Sequence, residues 1–594
     1  MHMTFRALLP LLAITTALAL APAAAAQDDP LSGPSTATGK GGAAATIERL
    51  ATKAAIATLR RGGNAVDAAV TAAAVLGVTE PFSCGIGGGG FLLAYDARRH
   101  RATTIDHRET APAAMGPASF MVDGTPLVFN DARYSGLSVG VPGTVDGWAT
   151  ALRREGTISL AEALAPAIRI ARDGFVVDAT FAAQTQENLD YFDDAPATAA
   201  LYLDPDGTPR DVGTVFRNPD LANTLALIAR RGTKAFYRGA IADAILETVR
   251  RPPVSAAANH TWRPGVMDAR DLRRYDAVRR DPTNSRYRGL DVLGTAPPSS
   301  GGSTVGEALN ILEGYPLGSL PREQAIHRLL EASRFAFADR GAYVADPAYF
   351  DVPLAGLLSD GFAATRRALI GDRAATSPVA PGDPYPFDGD GAGRSGGQAS
   401  ATAERVGSTT HISVADRDGN VVSYTFTIES TGGSGLVVPG YGFLLNNELT
   451  DFNYDSLTQP NRVEPGKRPR SSISPTIVLR GGRPWLTLGT PGGSTIITTV
   501  LQLLIDRIDL GMTLPQAIAA PRIAQRNTAT TQAEPAFLAT PEAAALLARG
   551  QTFVSVPEIG AADGIEFLPG GGVLAAAEPV RRGGGSAMVV HPGR

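Results

Sequence analysis

Residues 409–427 read TTHISVADRDGNVVSYTFT, two runs rich in β-branched and aromatic residues on either side of Arg417-Asp418-Gly419. Runs of this kind are strands of a β-hairpin, with Gly419 supplying the positive φ that a three-residue loop needs. Counting outward from that loop sets Asp416 against Asn420 and Thr409 opposite Thr427; a two-residue loop would shift the pairing by one. The stretch before the hairpin matters as much. Residues 377–408 are dominated by Gly, Asp, Pro, Ser and Ala, offer little to bury, and read as a mobile linker that stops abruptly at the strand. Taken alone, Thr409 is an ordinary strand residue. A threonine freed at a chain terminus, by contrast, carries a hydroxyl nucleophile and an α-amine of reference pKa about 7.7–8.0 on one residue.

Further along, PTIVLR and WLTLG pair about Gly481-Gly482, and the second strand runs through TPGGS into the helical pattern TIITTVLQLLIDRID. Gly492 and Gly493 thus stand at a helix entrance, where backbone N–H groups lack intrahelical partners and can face negative charge. Toward the N-terminus the pattern is helical from Thr46 to Arg61, Gly62-Gly63 stops it, and Asn64 caps a second helix from Ala65 to Val78. FLLAYDA and ATTIDHRE flank ARRHR as another hairpin, which leaves Arg108 near the end of its second strand. LAEALAPAIRIARDG and REQAIHRLLEASRFAFADR have the apolar spacing of helices packed on a sheet.

The chain has 594 residues, 44% of them hydrophobic and 19% charged, enough to bury a large core spread over two to four domain-sized units. A net charge of −4 without a basic block sets nucleic acid aside as a partner. Arg6, the apolar run LLPLLAITTALALAP and Ala24-Ala25-Ala26 read as a secretory signal over 1–26, so the chain is expected to be exported, to a periplasm or beyond the cell, and to begin near Gln27. The apolar core of that segment is short and interrupted by Pro10 and Pro22, and no later segment looks membrane-spanning, so no stable membrane anchor is expected. Cys84 is the one cysteine, which rules out an intrachain disulfide and a cysteine-based metal site. Three pattern matches mislead. Residues 85–90, GIGGGG, follow a helix and precede a strand, the reverse of a dinucleotide fingerprint. GRSGG at 393–397 lacks the strand and helix that strain a nucleophile elbow, and DRDG at 416–419 lacks the later acidic ligand of a calcium loop. Neither a cofactor nor a metal is implied.

Blocks along nearly the whole mature chain carry a family resemblance: GGNAVDAAV, EPFSCGIGGGGF, DHRETAP, GVPGTVDGW, PPSSGGS, TTH at Thr409, LLNNELTDF, KRPRSSISPTIV and TPGGS, in this order. In them the sequence resembles the γ-glutamyltransferase (γ-glutamyltranspeptidase) family of N-terminal nucleophile hydrolases. The resemblance implies an α/β fold, a four-layer αββα sandwich, in which the precursor cuts itself between Ser408 and Thr409. A large subunit, 27–408, and a small catalytic subunit, 409–594, would stay together as a heterodimer. It implies Thr409 as nucleophile, Thr427 as its hydrogen-bond partner, and Gly492 and Gly493 as the oxyanion hole. For a γ-glutamyl substrate such as glutathione it assigns Arg108, Ser471 and Ser472 to the α-carboxylate and Glu448 and Asp451 to the α-ammonium, with water or an amino-acid or peptide amine as acceptor. An arginine offers the planar fork that a carboxylate accepts through two bonds. The sequence departs from the family at Glu429, where well-characterised members have asparagine, and this adds a third carboxylate at the ammonium site. TGGSG stands where an aromatic is common, and the connection from Asp451 to Ser471 is short, which implies an open pocket and easy access of water. An acylase for glutaryl-type side chains of β-lactams, or a binding protein on the same scaffold without activity, are the alternatives.

Overall fold

The computed structural model describes residues 33–389 and 407–593. The leader read at 1–26 and the pattern at 393–397 lie outside them. Thirteen strands join in one sheet. They are β1 (Thr36–Thr46), β2 (Gly89–Asp96), β3 (Arg101–Asp106), β4 (Val278–Arg280), β5 (Thr283–Tyr287), β6 (Leu290–Gly294), β7 (Thr410–Asp416), β8 (Val421–Thr427), β9 (Thr476–Arg480), β10 (Arg483–Gly489), β11 (Asp563–Leu568), β12 (Gly572–Ala577) and β13 (Ser586–Pro592). Their order is β4-β3-β2-β8-β7-β1-β12-β11-β10-β9-β6-β5, with β13 also on β1.

β1 is the joint of this sheet. Gly42 to Thr46 pair with β7, Thr36 to Gly39 with β12, and the pairing with β13 shifts register between Lys40 and Ala43. Gly41 and Gly42 fall at the shift, with φ of 82° and 115°, a region that only glycine enters without strain. The two halves of the sheet face each other from there. Ala43, Ala45 and Ala415 meet Ile565, Ala575 and Ala577, and Leu93, Tyr95 and Val421 meet Leu293, Ile477 and Leu479. Alternation along each strand sends the other side chains outward. Ile412, Val414, Val422 and Tyr424 pack under α1 (Arg49–Arg60), α2 (Ala65–Thr79), α3 (Thr144–Glu155) and α4 (Leu160–Asp173). On the opposite side Val478, Leu486 and Leu488 pack under α5 (Gly301–Glu313), α6 (Arg322–Tyr343) and α7 (Thr495–Ile508).

The hairpin register agrees with the count from the loop. Thr410 pairs with Phe426 and His411 with Thr425, Asp416 N donates to Asn420 O at 3.0 Å, and Gly419 has φ 85°. The Asp416 carboxylate spends its oxygens inside the turn and on the first N–H of α2, accepting from Asp418 N, Asn420 N and Ala65 N. Asn64 caps α2 reciprocally with Asp67, as expected. The glycine run after α2 also has a packing reason. A Cβ on Gly88 would lie 1.9 Å from Thr427 O, and one on Gly87 2.0 Å from Leu444 O, so bare backbone is what lets this segment close on the end of β8 and on the loop at Leu444.

Two expectations need correction. The helix expected from Thr46 begins at Arg49, capped by the Glu48 carboxylate, and residues 36–46 are the strand β1. TATGKGGAAAT has no large apolar residue, because small side chains are what fit between closely stacked sheets, so periodicity gave no signal. The linker expected to be mobile over 377–408 is fastened over 377–389. Val379 N donates to Asn527 Oδ1, Gly382 N to Asp339 Oδ1, and the Tyr385 ring is buried. Among the described residues no helix is long and apolar enough to cross a membrane.

The substitution Gly88→Ala forces a methyl group into the Thr427 carbonyl and is expected to lower stability by about 1–3 kcal/mol. Thermal denaturation reads this directly, and an unchanged midpoint would show that β2 and β8 can part without cost.

Candidate active site

Strand β7 starts at Thr410, so Thr409 stands one residue beyond the ladder, on the face of the hairpin turned toward the second half of the sheet. It is 3% exposed. Its Oγ1 donates to Ser408 O at 2.5 Å and lies 3.2 Å from Thr427 Oγ1. Thr427 Oγ1 donates to the same Ser408 O at 2.7 Å and accepts from Glu429 N at 2.8 Å. Two hydroxyls thus converge on one carbonyl oxygen. The register expected from the turn, which sets 409 opposite 427 one step beyond the last ladder pair Thr410–Phe426, is what brings them together.

From the opposite half, β10 ends at Gly489, where a Cβ would lie 2.2 Å from the His411 ring. His411 fills that space, with Nδ1 2.6 Å from Thr425 Oγ1, and burial pushes its pKa down to about 3. The imidazole two residues from Thr409 is therefore neutral and already engaged. Beyond β10 the chain turns through Gly492 and Gly493, with φ of 134° and 57°, and enters α7, their carbonyls accepting from Thr495 N and Ile496 N. Gly493 lines a cavity of about 550 Å³ that also contains Thr409 and Thr427; Gly492 stands one residue behind. Gly407 enters the same cavity, close enough to Gly493 that a Cβ on it would lie 3.4 Å from the Gly493 Cα.

Arg108 projects into this cavity two residues past β3 and is 1% exposed. Its guanidinium pairs with Glu448 and Asp451 and donates to Pro469 O at 3.2 Å and Arg470 O at 3.0 Å. Burial works against the charge, but Glu448 and Asp451 outweigh it and raise the pKa. The carboxylates outnumber their cation. Burial pushes Glu448 well above the ordinary carboxylate range despite Arg108, and pushes Glu109 up to about 8. Glu429 is raised as well, by burial first and then by the charge of Asp451. Its φ is 80°, in the left-handed region, and its carboxylate accepts from Ser430 Oγ and from Asn447 Nδ2 at 2.5 Å.

Ser471 and Ser472 line the same wall. The Ser471 carbonyl accepts from Ser300 N and Oγ, and Ser472 Oγ accepts from Arg340 Nη2 at 2.8 Å. Of the residues singled out in the sequence, Thr409, Thr427, Gly493, Arg108, Glu429, Glu448, Asp451, Ser471 and Ser472 share one cavity. Sequence reasoning missed Arg340, Thr450 and Arg470 on that lining. Arg340 had a signal: it follows the apolar run Phe335-Ala336-Phe337-Ala338 in the last turn of α6, where a buried charge needs a partner. The short connection after Asp451 supplies Phe452 and Tyr454 to the lining, and the Tyr454 ring packs against Phe120 at 5.0 Å, toward the body of the protein. Among the described residues no group of three or more His, Cys, Asp or Glu is arranged to hold a metal ion.

A family model described as Gamma-glutamyltranspeptidase matches residues 51–588. The glutathione hydrolase proenzyme of Bacillus subtilis strain 168 is 41% identical over 493 residues, 82% of this chain and 81% of the relative. The acylase ACY 1 proenzyme of Pseudomonas sp. strain SE83 is 37% identical over 555 residues, 91% of this chain and 92% of the relative. Among solved structures, a cephalosporin acylase from Bacillus halodurans superposes with a TM-score of 0.82 at 29% identity, covering 97% of this chain and 99% of that one.

Replacing Arg108 by alanine leaves Glu448 buried without its cation, and is expected to cost about 3–5 kcal/mol of stability. Adding Glu448→Gln should recover part of that loss in a thermal denaturation experiment. Independent, additive effects of the two substitutions would mean that the pair is not a unit.

Proposed function

The chain belongs to the γ-glutamyltranspeptidase family, and from that membership and the surroundings of Thr409 we propose a γ-glutamyl hydrolase and transferase that acts on glutathione and other γ-glutamyl amides through an ester on Thr409. The αββα sandwich of N-terminal nucleophile hydrolases is the matching fold. The precursor cuts itself between Ser408 and Thr409, leaving a large subunit, 27–408, and a small one, 409–594, as a heterodimer. The leader at 1–26 supports export. One observation carries the reading: the hydroxyls of Thr409 and Thr427 both address the Ser408 carbonyl oxygen, at 2.5 and 2.7 Å.

In the uncut chain Thr409 N is an amide and has no basicity. Attack of Thr409 Oγ1 on the Ser408 carbonyl carbon forms a C–O bond, the Thr409 nitrogen leaves as an amine after taking a proton, and the segments are joined by an ester. The Thr427 hydroxyl donates to the oxygen on which negative charge gathers, the role an oxyanion donor plays. Water then opens the ester, giving a Ser408 carboxylate and a Thr409 α-amine. Scission thus creates a base beside the nucleophile and frees Gly407 to leave the cavity it shares with Gly493.

In turnover the Thr409 hydroxyl gives its proton to that amine and attacks the γ-carbonyl, while the N–H groups of Gly492 and Gly493 take the oxyanion. The amine leaving group departs with a proton. Water, or an amine acceptor, releases the γ-glutamyl group. An α-amino acid end carries both charges and so can separate Arg108 from its acids, setting its carboxylate on Arg108, Ser471 and Ser472 and its ammonium on Glu448, Asp451 and Glu429. The surplus of acid favours a γ-glutamyl over a glutaryl group, because a glutaryl chain would occupy Arg108 and offer these acids no ammonium in return. The acylase reading draws on the 37% identity to an acylase and on Glu429 in place of asparagine.

Purified protein is expected to run as two bands on a denaturing gel, and Thr409→Ala as one band without activity; a variant that still splits would remove Thr409 from the chemistry. The cut enzyme should release p-nitroaniline from γ-glutamyl-p-nitroanilide much faster than from glutaryl-p-nitroanilide. The reverse preference would support the acylase.

A further inference from the structure

The ladder of the β7–β8 hairpin ends at Thr410 and Phe426, and β1 reaches only to Ile412. Once the chain is cut, Thr409 is a terminal residue beyond the last strand pairing, and such ends fray unless they are tied. A nucleophile out of place by an ångström loses about 100-fold in rate. Thr427 orients the hydroxyl, but the backbone of Thr409 needs its own anchor.

The anchor comes from 173 residues later in the chain: Arg582 Nη1 donates to Thr409 O at 2.7 Å. Its Nη2 donates to Glu80 Oε2 at 2.8 Å and to Ser83 Oγ at 2.7 Å, and Ser83 Oγ also accepts from Ser408 Oγ at 2.8 Å. One guanidinium therefore holds both residues that flank the scissile bond, Thr409 directly and Ser408 through Ser83. The arginine is itself held firmly. It has φ 54° and ψ 36°, a conformation costly for a residue with a side chain, and Glu558 Oε2 accepts its N–H at 3.1 Å. Arg581 pins the same turn to Glu534 and Glu578, immediately before β13 returns to β1.

We propose that Arg582, seated on Glu80, is a positioning residue for the nucleophile: it fixes the Thr409 carbonyl through self-cleavage and turnover, and through Ser83 it fixes the Ser408 hydroxyl until the peptide is cut. This rests on Thr409 being the terminal nucleophile. It assigns the strained turn at 581–583 a purpose that packing alone does not require, since none of its three residues is buried.

The experiment compares Arg582→Gln, Arg582→Lys and Ser83→Ala in the full chain, scoring the rate at which the lighter band appears and, on the cut fraction, kcat and KM for γ-glutamyl-p-nitroanilide. Arg582→Gln is expected to slow cutting and to lower kcat by about 100-fold, with KM near that of wild type because Arg108, Glu448 and Asp451 are untouched. Arg582→Lys, which keeps the charge but gathers its donors on one nitrogen, should recover part of the kcat loss. Ser83→Ala should slow cutting more than turnover. The proposal fails if Arg582→Gln cuts and turns over at the wild-type rate, or if its loss lies wholly in KM or in the thermal midpoint. A wild-type chain that cuts itself yet leaves γ-glutamyl-p-nitroanilide intact would count against the substrate reading alone, and the cutting rates would still decide the role of Arg582.

Discussion

Two threonine hydroxyls share one carbonyl oxygen, and the rest of the molecule can be understood as what it takes to hold that arrangement. A hairpin supplies the pair, because a three-residue loop at 417–419 sets 409 opposite 427. Gly88 lets the backbone before β2 close on the end of β8, and Gly87 lets it close on the Leu444 carbonyl, with no side chain between. Gly489 leaves room for His411, and with that ring seated the second half of the sheet can bring Gly492 and Gly493 up to the same end of the stack. The bend of β1 at Gly41 and Gly42 makes the stacking possible.

Charge divides the cavity from its surroundings. Arg108 is the cation against which Glu448 and Asp451 are paired, and Glu109 and Glu429 stand beside them with raised pKa values. One guanidinium cannot pair with all of these carboxyls, and the raised pKa values of Glu109, Glu429 and Glu448 are the response, favouring protons where no cation is at hand. A ligand bearing an ammonium supplies that cation, and one bearing a carboxylate as well can take over Arg108 without stranding the acids. The charge balance of the buried groups thus points to a zwitterionic end group.

Much of this was legible in the sequence where the determinants are local. The loop at Gly419 gave the register, the cap at Asn64 gave the start of α2, and the order strand, TPGGS, helix placed the glycine turn correctly. Long-range features were not legible. β1 is built from alanine, glycine and threonine and carries no apolar period, though it is the strand on which both halves meet. Arg582 lies in a stretch of glycine and arginine with no motif, and only the return of β13 to β1 brings it to Thr409. The pairing of Arg108 with two acids could not be foreseen either, since residue types indicated what each could bind but not that they bind each other. The segment at 377–389 looked unable to pack because it has few apolar side chains, and it is held through its backbone N–H groups instead.

The central claim concerns where the chain is cut and what the cut produces. N-terminal sequencing of the lighter fragment of purified protein tests it most directly. Thr-Thr-His-Ile as the first four residues is the predicted result, with the primary amine on the residue whose hydroxyl lies 3.2 Å from Thr427. A fragment beginning at any other residue, or one whose first residue is blocked, would contradict the account.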